Sequence, residues 1–300
     1  MLKCMEDIIF KKLFVAVETA ALYKMDELNK VIKLPKEVQQ APERLADYLE
    51  KTVQDKNGCL LLTDNYALLE EAQKLLPCVA YAREGYLDEV PMSCRYVIEG
   101  TENVCMEELQ RIYLRICGLP LTIAETERLI LRELSEEDIE RMYAISCKAE
   151  VRAYVDDIPE DRDEAYEHIR AYIKQVYPFY GYGYWGIFLK ESGELIGRCG
   201  LQEGTVREEV SEDFAEGARI GYLLDPAYTG HGYAKEAVHA VIRYAFEEMK
   251  LTCISAAIRE DNVRSVAVAK ACGMSYDREV EQDGKKYQSY HIFNEKSEAR

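Results

Sequence analysis

The chain has 300 residues, 48% of them hydrophobic and 31% charged, a usage that excludes a disordered or fibrous protein and is long enough for two cores. Its 38 basic and 55 acidic side chains leave a net charge of −17, a field that opposes nucleic acid as a main partner. Of these, 23 basic and 35 acidic groups lie after residue 120, which suits either cationic, amine-bearing partners or simply a solvated acidic surface.

The ten cysteines are widely spaced, with no CxxC pair. Glu6, Asp7 and Glu18 interrupt the N-terminal apolar stretches, so no secretory segment is expected and the thiols read as reduced residues of a cytoplasmic protein. No apolar run approaches the ~18 residues of a membrane span. The four histidines lack paired ligand spacing, so no metal is implied.

In chain order, the apolar-rich segment from Ile8 to Tyr23 reads as a helix, and Pro42 opens a second one through Leu49. Cys59-Leu60-Leu61-Leu62-Thr63 follows Asn57-Gly58 and is too continuously apolar for a half-exposed element; it reads as a buried strand. Asp64 and Asn65 offer caps for a helix to Leu75. Cys78 to Tyr81 and Tyr96 to Ile98 are further strands of a parallel sheet. Met106 to Cys117 is a helix with Leu109, Ile112, Tyr113 and Ile116 on one face, stopped by Gly118 and Pro120. That stop divides the chain into 1–120 and 121–300.

The segment around Thr63 resembles part of a haloacid-dehalogenase-like phosphatase domain. The resemblance implies a second-motif role for Thr63, but the nucleophile motif DxDx[TV] is missing, and without that aspartate no phosphoryl group can be carried. The N-terminal part is therefore expected to be a degenerate, non-catalytic domain, with Asp64 serving as a helix cap.

After residue 120 the pattern changes. Glu127 to Arg132 reads as a strand, and Ser135-Glu136-Glu137-Asp138 as a capping box opening a helix to Ser146. Ala165 to Val176 is amphipathic. Trp185 to Leu189 and Glu194 to Leu201 form a hairpin about Glu191-Ser192-Gly193. The aromatic run Tyr177 to Trp185 either walls an acceptor pocket or packs a strand entry. An acidic stretch from Gln202 to Gly217 includes Glu208, Glu209, Glu212 and Asp213, which either attract an ammonium group or form a solvated loop. Arg219 to Leu224 is a strand, Tyr233 to Met249 the clearest helix, and Cys253 to Ile258 a strand. Asn262 caps a helix that stops at Gly273.

Asp225-Pro226-Ala227-Tyr228-Thr229-Gly230-His231-Gly232-Tyr233-Ala234 joins the Arg219–Leu224 strand to that clearest helix. Alternate glycines let a backbone approach a ligand, and the helix start presents unpaired N–H groups and a positive dipole end. Strand, glycine loop and helix together suit a pyrophosphate.

With this loop, the segment from about 125 to 293 resembles a GNAT-family N-acetyltransferase of the ribosomal-protein alanine acetyltransferase branch. The motifs that carry the resemblance are Thr126 to Arg132, Leu195-Ile196-Gly197-Arg198, Ile220 to Pro226, Asn262-Val263-Arg264-Ser265 and Cys272-Gly273-Met274. It implies an α/β GNAT acyl-CoA transferase fold, a mixed twisted sheet flanked by helices, preceded here by a smaller helical and α/β domain. It further implies acetyl-CoA as co-substrate, with the pyrophosphate on the amides of Gly230, His231, Gly232, Tyr233 and Ala234. The pantetheine arm would lie along Leu223 and Leu224 where parallel strands splay, near Asn262. Thr229 stands where Arg or Gln is usual, and Ala269 where many members have the tyrosine that protonates the departing thiolate. Ser265 and Tyr276 are the substitutes, and the general base is not identified. The expected reaction moves an acetyl group to a primary amine, of a small molecule or a protein N-terminus; the alternative is a non-enzymatic acyl-CoA sensor. Oligomerisation is left open.

Overall fold

The computed structural model describes residues 12–17, 31–53, 58–100, 104–203, 217–282 and 284–294. Two compact units are present, Met1–Leu119 and Pro120–Arg300.

The first unit contains β1 (Lys12–Ala16), β2 (Val31–Lys33), α1 (Lys36–Gln40), α2 (Leu45–Thr52), β3 (Cys59–Thr63), α3 (Tyr66–Ala72), β4 (Cys78–Ala82), β5 (Val97–Glu99) and α4 (Met106–Ile116). Its five strands are all parallel, in the order β2-β1-β3-β4-β5. Leu13, Val15, Leu60, Leu62, Val79 and Tyr81 pack with Leu109, Ile112 and Tyr113 of α4. The alternate residues Phe14, Ala16, Leu61 and Ala80 pack with Leu45, Leu49, Leu68 and Leu69 of α2 and α3. Both faces of the sheet are covered, which is why its strands read as unbroken apolar runs. The same fact corrects the helix expected from Ile8 to Tyr23: Lys12 to Ala16 is a strand paired with both β2 and β3. A helix there would bury one stripe, whereas Leu13 to Val17 are all buried.

Of the two expected caps, Asn65 is the one used, its side chain accepting from the Leu68 N–H at 3.1 Å. Thr63 is fully buried; its hydroxyl donates to the Ala16 carbonyl at 3.1 Å and accepts from the Asn65 N–H at 3.0 Å. Both contacts are structural.

The second unit contains β6 (Thr122–Glu125), β7 (Leu129–Arg132), α5 (Ile139–Ser146), α6 (Ala149–Arg152), α7 (Arg162–Tyr180), β8 (Tyr184–Leu189), β9 (Leu195–Glu203), β10 (Gly217–Leu224), α8 (Tyr233–Glu247), β11 (Cys253–Arg259), α9 (Val263–Ala271), β12 (Ser275–Gln282) and β13 (Lys285–Phe293). The eight strands run in the order β12-β13-β11-β10-β9-β8-β7-β6. Every pair is antiparallel except β10 with β11. The capping box at Ser135 and Asp138 forms as expected. The helix expected from Ala165 is longer, starting at Arg162 behind the cap Asp161 and ending at Gly181 with φ 76°. Ala237, Val238, Val241 and Ala245 bury the α8 stripe against the sheet, where Trp185 meets the Tyr244 ring edge-on at 5.5 Å.

Two glycines of β9 let its neighbours close in. A Cβ on Gly197 would lie 2.2 Å from the Leu223 carbonyl oxygen, and one on Gly200 would lie 2.0 Å from that of Gly183. Both obstacles are backbone, so strands would have to part. Gly197→Ala is therefore expected to destabilise the second unit by about 1–3 kcal/mol. Trp185, the single tryptophan and fully buried in this unit, reports its denaturant unfolding; a midpoint equal to the parent's would refute the packing argument.

Candidate active site

The parallel pair β10–β11 holds for three residue pairs only: Gly217 with Cys253, Ala218 with Ile254 and Arg219 with Ser255. Beyond them β10 stays paired to β9 as far as Leu224, while β11 follows β13. The edge of Ile220 to Leu224 that faces β11 is thus left without that strand as partner, and an extended ligand with amide groups can take its place.

Next comes the loop. Asp225 is buried and receives Lys148 Nζ at 2.6 Å, Arg141 Nη2 at 2.9 Å and the Ala227 N–H at 3.0 Å. Burial pushes its carboxyl upward, but the Lys148 and Ala227 hydrogen bonds and the two cations overcome that and hold it below its ordinary value. Gly230 and Gly232 have φ 85° and 81°, left-handed values that suit glycine, and Gly232 is the N-cap of α8. No side chain caps that helix, so its first amides point outward.

Arg128 braces the loop. Its Nη1 donates to the His231 carbonyl at 3.0 Å, its Nε to Glu236 at 2.7 Å, and its guanidinium lies 4.6 Å from the Tyr233 ring centroid. Glu236 also accepts from the Thr126 hydroxyl at 2.6 Å and the Arg128 N–H at 2.9 Å. Burial works against its charge, yet these donors and the arginine hold its carboxyl below the usual range.

A cavity of about 520 Å³ opens along this path, a size suited to a cofactor-like ligand. Leu223, Leu224, Thr229, Gly230 and Gly232 line it, as do Tyr233, Ala234, Asn262 and Ser265. His231 does not; its carbonyl is turned to Arg128. Asn262 also caps α9, accepting from the Ser265 N–H at 3.1 Å. A second cavity, of about 230 Å³, carries Asp157, Tyr184, Arg198, Gln202 and Arg219, with Ala269 in its wall. The buried Arg198 is ion-paired to the half-exposed Asp157, and its guanidinium lies 4.7 Å from the Tyr184 ring centroid. Tyr222 and Ser265 line both cavities, and the Tyr222 hydroxyl donates to Ser265 Oγ at 3.0 Å.

Tyr276 is not brought to the cleft. It stands half-exposed on β12, edge-on to Tyr290 at 5.8 Å, outside the lining of either cavity. The aromatic run divides: Tyr177 and Trp185 are core, Tyr184 faces the smaller cavity, and Phe179 is exposed. Glu208, Glu209, Glu212 and Asp213 lie outside the described residues. The sequence reading missed Tyr222, Asp157 and Arg198. Tyr222 and Arg198 stood inside motifs already noted, but which face of a strand looks into the cleft is set by tertiary pairing. Asp157 carried no signal.

The acetyltransferase (GNAT) domain family matches residues 128–275. The uncharacterized N-acetyltransferase YoaA of Bacillus subtilis (strain 168) is 30% identical over 144 residues, 48% of this chain and 77% of the relative. The uncharacterized N-acetyltransferase p20 of Bacillus licheniformis is 30% identical over 155 residues, 51% of this chain and 82% of the relative.

The chain belongs to the GNAT acetyltransferase family.

It is an N-acetyltransferase, and these relatives do not favour the sensor alternative. The solved structure of a ribosomal L7/L12 alpha-N-protein acetyltransferase, 18% identical, covers 59% of this chain and 97% of its own with a TM-score of 0.50, a likeness of fold. The GNAT match begins at Arg128, and the haloacid-dehalogenase resemblance of the first unit finds no support among these relatives. Among the described residues no group of three or more His, Cys, Asp or Glu is placed to hold a metal, and no helix is long and apolar enough to cross a membrane.

Because the Asp225 carboxyl is depressed in the folded state, its contribution to stability is present above the ordinary aspartate value of about 4 and is lost as pH falls through the lower folded value. Asp225→Asn should be less stable than the parent at neutral pH and should lack this acid-side loss. Urea unfolding of both proteins over a descending pH series checks it; parallel curves would remove Asp225 as the source.

Proposed function

We propose that the larger cavity takes acetyl-CoA and the smaller one a primary amine, of a small molecule or a protein N-terminus, and that they react beside Tyr222 and Ser265. One observation carries this reading: these two side chains are common to both cavities and hydrogen-bonded to each other. The pyrophosphate lies on the amides between Gly230 and Ala234, with His231 contributing through its backbone and Arg128 holding the loop. The pantetheine arm pairs with the open edge of Leu223 and Leu224, and a backbone N–H of this edge faces the carbonyl oxygen as negative charge develops there. Asp157 is the one carboxylate lining the acceptor cavity among the described residues, and it draws the ammonium group and takes its proton, directly or through water. Ser265 donates a proton to the departing thiolate; Tyr276 has no part in this step.

The first unit is a non-catalytic accessory in this reading. Its Thr63 hydroxyl is spent on backbone contacts, and the chain from Pro120 onward holds every residue named above. The nine described cysteines are all free thiols, in keeping with a cytoplasmic protein.

Acetyl-CoA is expected to raise the melting temperature of the parent, by mass action, and to be turned over with members of a panel of primary amines. Gly232→Val should abolish the shift, since a β-branched residue is strained at φ 81° and would stand at the phosphate cradle. A folded variant with an undiminished shift would remove this loop from the site. Residues 121–300 expressed alone should retain the shift. Its loss in a well-folded fragment would show that the first unit contributes to binding.

A further inference from the structure

Ser265 sits in the first turn of α9, and its hydroxyl oxygen already has a donor. Tyr222, projecting from the β10 strand, gives its phenolic hydrogen to Ser265 Oγ at 3.0 Å. Burial is the first cause that pushes the Tyr222 phenol up to about 12, so the phenol stays protonated at neutral pH and available as a donor. Cys199 and Cys272, the two titratable neighbours that raise it further, are themselves thiols pushed upward by burial. Tyr222 is thus a standing donor, and a serine whose oxygen accepts from it must direct its own hydrogen elsewhere. Asn262 Oδ1, which caps this helix, accepts from the Ser265 N–H at 3.1 Å. Among the described residues no protein acceptor engages the serine hydrogen, and the wall shared by the two cavities is where Ser265 is open. One turn further along α9, Ala269 presents a methyl group, so the helix supplies no second hydroxyl there.

We propose that Tyr222 is a positioning residue for acetyl transfer: by donating to Ser265 Oγ it turns the serine hydrogen into the cleft, toward the sulfur of the departing coenzyme. As the amine nitrogen bonds to the acetyl carbon, the C–S bond breaks and its electron pair goes to sulfur. Sulfur takes the hydrogen of Ser265, whose oxygen is held by Tyr222 and is reprotonated by the proton the amine gives up, carried through solvent. Tyr222 keeps its own hydrogen throughout.

The inference rests on the reading of this cleft as the site of transfer, and the experiment separates the two. Steady-state kinetics are measured with the full chain, acetyl-CoA and the best amine of the panel, for the parent, Tyr222→Phe, Ser265→Ala and the double variant. Tyr222→Phe is expected to lower kcat by about tenfold while KM for acetyl-CoA stays within about twofold, the split expected when a transition-state contact is lost. The double variant should be no slower than Ser265→Ala, because the tyrosine acts only through the serine. Tyr222→Phe that matches the parent, or losses that multiply in the double variant, would overturn the proposal while leaving acetyl transfer in this cleft intact. A parent that binds acetyl-CoA but acetylates no amine would overturn the underlying reading and this one with it.

Discussion

The arrest of the β10–β11 pairing after three residue pairs is the constraint on which the rest of the second unit depends. In a sheet where every other neighbour runs antiparallel, this single parallel contact lets two strands diverge in the same direction from a common start. The gap exposes main-chain groups of Ile220 to Leu224, and its far end delivers the chain into the glycine loop and α8. Both cavities open along this divergent stretch, and Tyr222, Leu223 and Ser265 are among the residues that line both.

A loop built around glycines has to be held from outside, since its glycines contribute no packing. Two charged clusters do this. Asp225 collects Arg141 and Lys148 at the strand end, and Glu236 collects Thr126 and Arg128 at the first turn of α8, with Arg128 reaching on to the His231 carbonyl. Each carboxylate takes several donors and each is held in its charged form. Thr229, which lacks the long polar side chain usual at its position in the family, donates its hydroxyl to the Pro226 carbonyl at 2.9 Å and so steadies the same turn. Most of the brace reaches in from elsewhere: Thr126 and Arg128 just before β7, Arg141 of α5, Lys148 beyond it, and Glu236 of α8.

The smaller cavity differs in kind. Net charge alone points to an acidic surface, yet the smaller cavity sets Arg198, Arg219 and Arg259 against Asp157 in its lining. Arg198 is paired with Asp157 and Arg259 with Asp261, so the charges are arranged as pairs rather than as a field. This pairing is a local matter that the overall balance of −17 does not describe.

Local chemistry was enough to read much of this chain. The capping box at Ser135, the stripe of α8 and the glycine loop are short-range patterns, and they appear where the residues require them. The lining of the larger cavity was legible for the same reason: Leu223, Leu224, Gly230, Gly232, Tyr233 and Ala234 lie in one short stretch of chain. Lys12 to Ala16 was misread because a short apolar run buried on both faces has no periodicity to distinguish strand from helix; only pairing with β2 and β3 decides it. The meeting of Tyr222 with Ser265, across 43 positions, and of Asp157 with Arg198, across 41, is likewise a product of tertiary structure. Sequence determined the elements with a clear local pattern, the loop and the family; tertiary pairing decided the β1 strand and, through the divergence of one parallel pair, which side chains share the cleft.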